Sequence, residues 1–448
     1  MSIERAHPSD GVFRLRLLSL VLMSFGCLLV SAATDARAQA QGAWSLTGLG
    51  QFNGEDTYLR GFNNHGQGMG ITRNPFSGDL SGAFFYSGGQ FSPIRPPPGD
   101  LAYLEMAGIN DAGQVIGNLL GQGFVYGNGQ TALLPRVGSA GGPPRAVAIN
   151  NGGDVLTETH VHTASGGTRQ FVMPMTGRAI NDRGQVLGSA FQNNESFGVL
   201  DSGNAAVRLG PAGSRSEAWA VNNLGQSAGT YNGNMAAIFD AQGRVTQLGR
   251  LGGRESTAID INDRGQAVGT ATYGPASNKY PLQHSFIYSD GATLDLYEQT
   301  DGFLFNGRRA VLNGAYDINE LGQALIDTTY LDIEFLDRRF YLWDNGKVID
   351  IKLLLQSLDD RYGRAFFNDS PMLNELGQIT LNVYTAGFGV VPVVLTPVPE
   401  PDTVVLMLAG LMSLWTLRRL GVRAATKRCG DASASSISAL GLGNLPRS

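Results

Sequence analysis

The sequence predicts an all-β fold, a β-propeller of eight four-stranded blades, on three observations. A short motif built around Asn and Gly recurs eight times along the chain. Glycine is abundant and charge is scarce: 61 of 448 residues are Gly and only 16% are Asp, Glu, Lys or Arg, and that Gly share is about twice the usual one. Period-2 alternation is common within the repeats and no long apolar stripe of period 3.6 runs through them, which disfavours a helical array. The formal charge of -5 comes without a Lys/Arg cluster. A phosphate-binding surface needs such a cluster, so a nucleic-acid partner is excluded.

The chain opens with a polar stretch, Arg14 and Arg16, an apolar run from Leu17 to Val30, and the small residues Ser31-Ala32-Ala33. This is the charged, apolar and small-residue order of a secretory signal peptide, so residues 1–40 are expected to engage the export machinery and signal peptidase. Cleavage falls after Ala38 or Ala40. Cys27 lies inside the apolar run, where Ser24 and Phe25 fit a lipoprotein signal badly.

Between residues 41 and 397 the repeat organises everything. Gly61-Phe62-Asn63-Asn64-His65-Gly66-Gln67 returns around Asn110, Asn150, Asn181, Asn222, Asn262, Asn319 and Asn374, at spacings of 47, 40, 31, 41, 40, 57 and 55 residues. Strand A ends at Ile-Asn. The Asn-Asp-x-Gly turn follows, with the carboxamide capping the backbone and Gly at positive φ. Strand B reads Gln-Val-x-Gly. Strand C is aromatic, as in Gly123-Phe124-Val125-Tyr126 and Phe340-Tyr341-Leu342-Trp343, and a turn such as Ser289-Asp290-Gly291 leads to strand D, as in Val245-Thr246-Gln247-Leu248-Gly249. Four antiparallel strands in 40-odd residues make a propeller blade. The eighth copy has strands A and B and a C-like Val391 to Leu395 but no strand D, whereas the orphan Trp44 to Gly50 matches the D segments. The N-terminal strand is therefore predicted to pair with the last blade and close the ring, leaving no free sheet edge. A seven-bladed ring with a degenerate third copy is the structural alternative.

This unit resembles the bacterial HAF-repeat proteins, whose repeat reads roughly A-I-N-x-x-G-Q-V-x-G, then H-A-F-L-Y, then a turn and D-L-G. The resemblance spans nearly all of residues 43–396 and carries no specific activity. After the ring, Val398-Pro399-Glu400-Pro401 precedes Thr403 to Leu417, fifteen uncharged residues, and then Arg418 and Arg419. At 1.5 Å per residue that helix covers about 22 Å, short of the roughly 30 Å hydrocarbon core, and so makes a marginal permanent anchor. Residues 398–419 resemble the PEP-CTERM sorting signal of Gram-negative bacteria. That resemblance implies an exosortase partner, a transient hold on the inner membrane through the C-terminal helix, and cleavage near Pro399-Glu400-Pro401. It implies release to the cell surface or extracellular matrix, often alongside exopolysaccharide and biofilm production. The chain departs from the pattern by running on through residues 420–448, which are Ser/Ala/Gly-rich and expected to be disordered. Beyond the leader, Cys429 is the one remaining cysteine, so the ring is expected to hold without a disulfide.

In such a ring the A–B and C–D turns share one face and the B–C and D–A connections the other. The second face receives the long connections Pro93–Asp100, Thr270–Gln283, Glu298–Gly314, Thr328–Arg339 and Leu354–Ser370, where function tends to sit on a rigid scaffold. Tyr273, Tyr280, Phe303, Phe305, Tyr330 and Tyr362 are the candidate ligand contacts, because aromatic rings beside polar groups can stack on sugars. Glu158, His160 and His162 share one face of an extended segment at i, i+2, i+4, but two or three ligands in one short repeat make a weak metal site. The turns lack the alternating carboxylates that calcium needs, and neither a metal nor a cofactor is expected. No nucleophile elbow, phosphate loop or zinc-hydrolase motif occurs, and the acidic pairs Asp359-Asp360 and Asp332 with Glu334 read as solvated loop charge. The expectation is a non-enzymatic exported propeller binding exopolysaccharide or a surface protein. The alternatives are a polysaccharide lyase or glycosidase using loop carboxylates, and a purely structural matrix protein. Three or more convergent ionisable side chains at the ring's central mouth would favour the enzyme.

Overall fold

Eight antiparallel sheets succeed one another along the chain in a computed structural model. It describes residues 44–138, 142–273, 282–300, 303, 310, 312–331, 336–362, 366–367, 369–385, 387 and 389–398. The signal-peptide residues, Pro399, Glu400, Pro401, the C-terminal helix, Arg418, Arg419 and the tail lie outside the described residues. In blade 1, strands A to D are Asp56–Phe62, Gly68–Arg73, Leu80–Ser87 and Gln90–Ile94, paired in sequence order. Blades 2 to 7 repeat this order over residues 104–133, 146–170, 176–208, 216–249, 256–295 and 312–350. The third copy, read as the one able to degenerate, is a complete though short blade, and the count is eight.

Blade 8 closes the ring as the sequence predicts. Its strand B, Ile379–Thr385, pairs with strand C, Gly389–Pro397, and strand C pairs with Trp44–Gly48. The Leu49 amide donates to Pro392 O (2.9 Å), and Ser45 Oγ donates to Thr396 O (3.4 Å). Strand A of this blade is broken into Phe366–Phe367 and Met372–Leu373. The ring from Ser45 to Thr396 is one compact unit.

The core lies between blades. Phe84, Phe124, Phe286 and Phe340 of the aromatic strands are fully buried. Met69, Ala83 and Ile94 of blade 1 pack with Leu104, Val115 and Phe124 of blade 2. Each sheet is thus covered on both faces by its neighbours, so apolar side chains replace charge along most of the chain.

Four connections differ from the irregular loops expected. Strand D of blade 6 ends in Asp295, which caps a short helix α1, Leu296–Gln299; strand D of blade 7 ends in Asp350, which caps α2, Ile351–Leu358. Leu354 to Leu358 is therefore helical, held by burial of Ile351 and Leu355 one turn apart. Thr270 to Tyr273 and Thr328 to Leu331 extend strands B of blades 6 and 7 instead of forming loop.

One regular feature escaped the sequence reading. In seven blades strand A carries a bulge between the fourth and second residues before the turn asparagine, as between Leu59 and Gly61 or Ala218 and Ala220. The glycine that ends the Gln-Val-x-Gly string is its counterpart. A Cβ on Gly70, Gly188, Gly229 or Gly269 would collide with the carbonyl oxygen of Tyr58, Thr176, Glu217 or Thr257 on the bulged strand.

Candidate ligand-binding face

The two faces of the ring are built differently. On the A–B turn face, the glycine of each repeat sits at φ between 72° and 84°, the conformation the turn requires. The asparagines do more than cap. Asn222 is buried, and its Oδ1 accepts from the Leu224 and Gln226 amides (3.0 and 2.8 Å). Its Nδ2 donates to Gln226 Oε1 (2.8 Å) and across to the backbone oxygen of Asn262 in the next blade (2.8 Å).

The same inter-blade bond runs from Asn63 to Asn110, on through Asn150, Asn181, Asn222, Asn262, Asn319 and Asn374, and back from Asn374 to Asn63 (3.2 Å). A second circle lies beside it. The amide of the residue after each asparagine donates to the side-chain oxygen at the same position in the following blade, through Asn64, Asp111, Asn151, Asp182, Asn223, Asp263, Glu320 and Glu375. This explains why that position holds Asn, Asp or Glu: an acceptor is needed there. All eight repeat-turn residues are thus structural links between blades.

Two carboxylates meet between the inner strands of blades 6 and 7. Asp260 Oδ2 accepts from the Ile318 amide (3.0 Å), Asp317 Oδ2 accepts from the Leu373 amide (3.2 Å), and the two carboxyls hydrogen-bond to each other. Burial first, and then their mutual repulsion, pushes Asp317 well above the ordinary carboxylate range, so the pair holds a proton. Ion pairs Arg60–Asp369 (3.1 Å), Arg145–Glu105 (2.7 Å) and Arg178–Glu217 (3.3 Å) also bridge adjacent blades. Each of these groups holds one blade to the next.

On the B–C and D–A face, Tyr273 is the candidate contact that remains presented, 39% exposed. Its ring lies flat on His284 (4.2 Å between centroids, 11° between planes), and His284 lies flat on Tyr297 (3.9 Å, 14°). His284 is fully buried, and its Nδ1 is 2.8 Å from Asp295 Oδ2. Asp295 Oδ1 in turn accepts from the Tyr297 and Glu298 amides at the start of α1. The Tyr297 hydroxyl donates to Ala310 O (2.8 Å). The column is therefore fixed at every level beneath Tyr273. His284, Asp295 and Glu298 each place one donor atom within 4.8 Å of the others; with both Asp295 oxygens engaged, this trio supports the column.

The structure moves three other candidates off the surface. Phe303, Tyr330 and Tyr362 are buried, so a ligand has no ring face to stack on. Tyr330 donates its hydroxyl to Phe303 O (2.6 Å) and lies 2.8 Å from the Tyr341 hydroxyl, while Phe303 packs on Tyr341. These rings fasten the connections to the blades. Tyr280 and Phe305 lie outside the described residues, as do Asp332 and Glu334. Asp359 is held below the usual carboxylate range by the Arg361 guanidinium, an exposed local pair.

Exposed rings that the sequence reading passed over sit on the same face. Phe76 (97% exposed) is in the B–C connection of blade 1, Phe191 (72%) and Tyr384 close strands B of blades 4 and 8, and Tyr103 precedes strand A of blade 2. Their sequence signal is weak but real: each stands where a strand meets a B–C or D–A connection, one residue or a few beyond the period-2 core pattern. Glu158, grouped with His160 and His162 from sequence, sits in the bend before that strand and turns to Arg145 (3.9 Å), so only the two histidines come together.

No family model matches the chain, and no curated protein matches its sequence. Among solved structures it is similar to the extracellular domain of the one-component system BT4673 from B. thetaiotaomicron, at 8% identity and a TM-score of 0.35, covering 77% of this chain and 53% of that one. The chain therefore spans about half the length of that protein. It is also similar to a subtype N11 neuraminidase-like protein from A/flat-faced bat/Peru (H18N11), at 11% identity and a TM-score of 0.29, covering 81% and 95% of the two chains. A third likeness is to a DUF4784 family protein from Bacteroides caccae, at 10% identity and a TM-score of 0.20, covering 68% and 95%. Likeness this remote says nothing of activity; the propeller is established by the strand pairing.

Proposed function

We propose that the protein is an exported, non-enzymatic β-propeller of the cell surface or extracellular matrix that binds a polysaccharide through its B–C and D–A face. The observation that carries this reading is Tyr273, a half-exposed ring held rigid by a column of stacked rings, His284 and Tyr297, anchored through Asp295. A flat ring immobilised before a ligand arrives loses little entropy on binding, and sugar faces stack on such platforms. Phe76, Phe191, Tyr103 and Tyr384 give the face further apolar contacts, which suits a chain-like ligand better than a small molecule. The leader and the sorting segment supply the address.

Glycan-array and polysaccharide pull-down binding of the native protein and of Tyr273→Ala tests it. The variant is expected to bind about tenfold more weakly, near 1.4 kcal/mol, with an unchanged melting temperature. Equal binding by both proteins, or no glycan bound by the native one, would overturn the reading.

A further inference from the structure

The third blade carries a pair of histidines that none of the foregoing uses. Its strand C, His160–His162, points both imidazoles to one face, as residues two apart in a strand must. Val161 between them faces the other way, into the core with Leu156 and Val186. The two Nε2 atoms meet at 2.8 Å with the rings 65° apart, and both side chains are more than nine-tenths buried. His160 is oriented from behind, its Nδ1 lying 2.9 Å from Thr159 Oγ1 and 3.2 Å from Thr157 Oγ1.

A hydrogen bond between the rings demands that one Nε2 carry a proton and the other not, and it is the only polar contact of the His162 side chain among the described residues: its buried Nδ1 has no partner. Two imidazole nitrogens on one metal ion, each at about 2.0–2.1 Å, stand roughly 2.9–3.4 Å apart for bond angles between square and tetrahedral. The observed separation is within a few tenths of an ångström of that bite. A hydroxyl behind the far ring nitrogen is the kind of partner that sets a ligand's tautomer, leaving Nε2 with its lone pair.

We infer that His160 and His162 chelate a borderline transition-metal ion, with Cu²⁺ the most tightly held of the divalent series. His160 lines a cavity of about 620 Å³ together with Arg145, Thr157, Glu158 and Gln170, which gives the ion an entry path and gives water room to complete its coordination. The charge at the rim is favourable: Arg145 is matched by two carboxylates, Glu105 at 2.7 Å and Glu158 at 3.9 Å, so the three groups sum to one negative charge. Of the two or three ligands that the sequence offers on this segment, the two histidines meet, while Glu158 turns to Arg145.

Titration of the purified full-length protein with Cu²⁺ against a competing chelator, with electron paramagnetic resonance of the loaded protein, tests the assignment. One copper per chain is expected, with hyperfine coupling to two nitrogens. His160→Gln and His162→Gln should each remove that signal, while His65→Gln keeps it. Thr159→Val, which touches only the group behind His160, should weaken binding about tenfold with the stoichiometry kept. If the histidine variants fail to fold, the nitrogen count on the native protein and the Thr159→Val affinity decide. Uptake below one copper per chain, a spectrum without two nitrogens, or affinity unchanged in Thr159→Val together with either histidine variant overturns the assignment.

Discussion

A buried carboxamide with every donor and acceptor matched is costly to lose. Asn222 makes four hydrogen bonds, one of them to the neighbouring blade. Asn222→Ala strands two amides and a carbonyl, and is expected to destabilise the ring by about 2–4 kcal/mol in denaturant titration; a loss below half a kilocalorie would show the link to be ornamental. Asp317 behaves in the opposite sense, because its carboxyl is raised rather than matched. The folded state keeps a proton that the unfolded chain releases near the ordinary value of 3.8. The contribution of the Asp260–Asp317 pair is therefore full below about pH 4 and is lost as pH rises through the raised values. Asp317→Asn removes the charge that alkaline pH would create, so at pH 9 it should be more stable than the native protein by on the order of 1–3 kcal/mol, with the gap closing toward pH 5. Denaturant midpoints at the two pH values measure this, and a native protein that grows more stable toward pH 9 contradicts it.

At the level of strands and turns, much was legible because the chain repeats the blade chemistry eight times, so that turn, aromatic strand and missing eighth strand D could each be read by comparison within one chain. What the repeat conceals is what the copies do to one another. The carboxamide's bond to the next blade leaves no mark distinct from an ordinary turn cap, and the bulge shows only as the glycine that ends Gln-Val-x-Gly. The fate of the loop aromatics was hidden for a different reason: Tyr273 is the last and Tyr330 the last but one residue of a strand B, and only the partners around them leave one presented and the other buried under Phe303. The closing strand is the element whose removal tells most. Without Trp44–Gly48, strand C of blade 8 becomes a bare edge able to recruit another chain. A chain lacking those five residues is expected to melt about 10 °C lower and to form multimers on size exclusion with light scattering; an unaltered monomer would show that the ring does not depend on them.

For the molecule as a whole, low charge and high glycine describe a ring of blades buried on both sides, and the described helices are short connectors, none long and apolar enough to cross a membrane. The proposed export rests on the two end segments of the sequence, the leader and residues 398–419. Glu400→Ala should abolish release of the protein from the producing cell, followed by immunoblot of the medium and of the membrane fraction; release at the native level would refute the sorting role of Pro399-Glu400-Pro401. The circle of asparagines carries one last implication. Each link joins a turn to the next with the same donor and the same acceptor, while the chain between them varies from 31 to 57 residues. Every member is plug to one neighbour and socket to the other, and the circuit has no first or last position. Duplicating or deleting a unit would leave matching ends, so the number of blades can drift over evolutionary time while the joint that closes them stays unchanged.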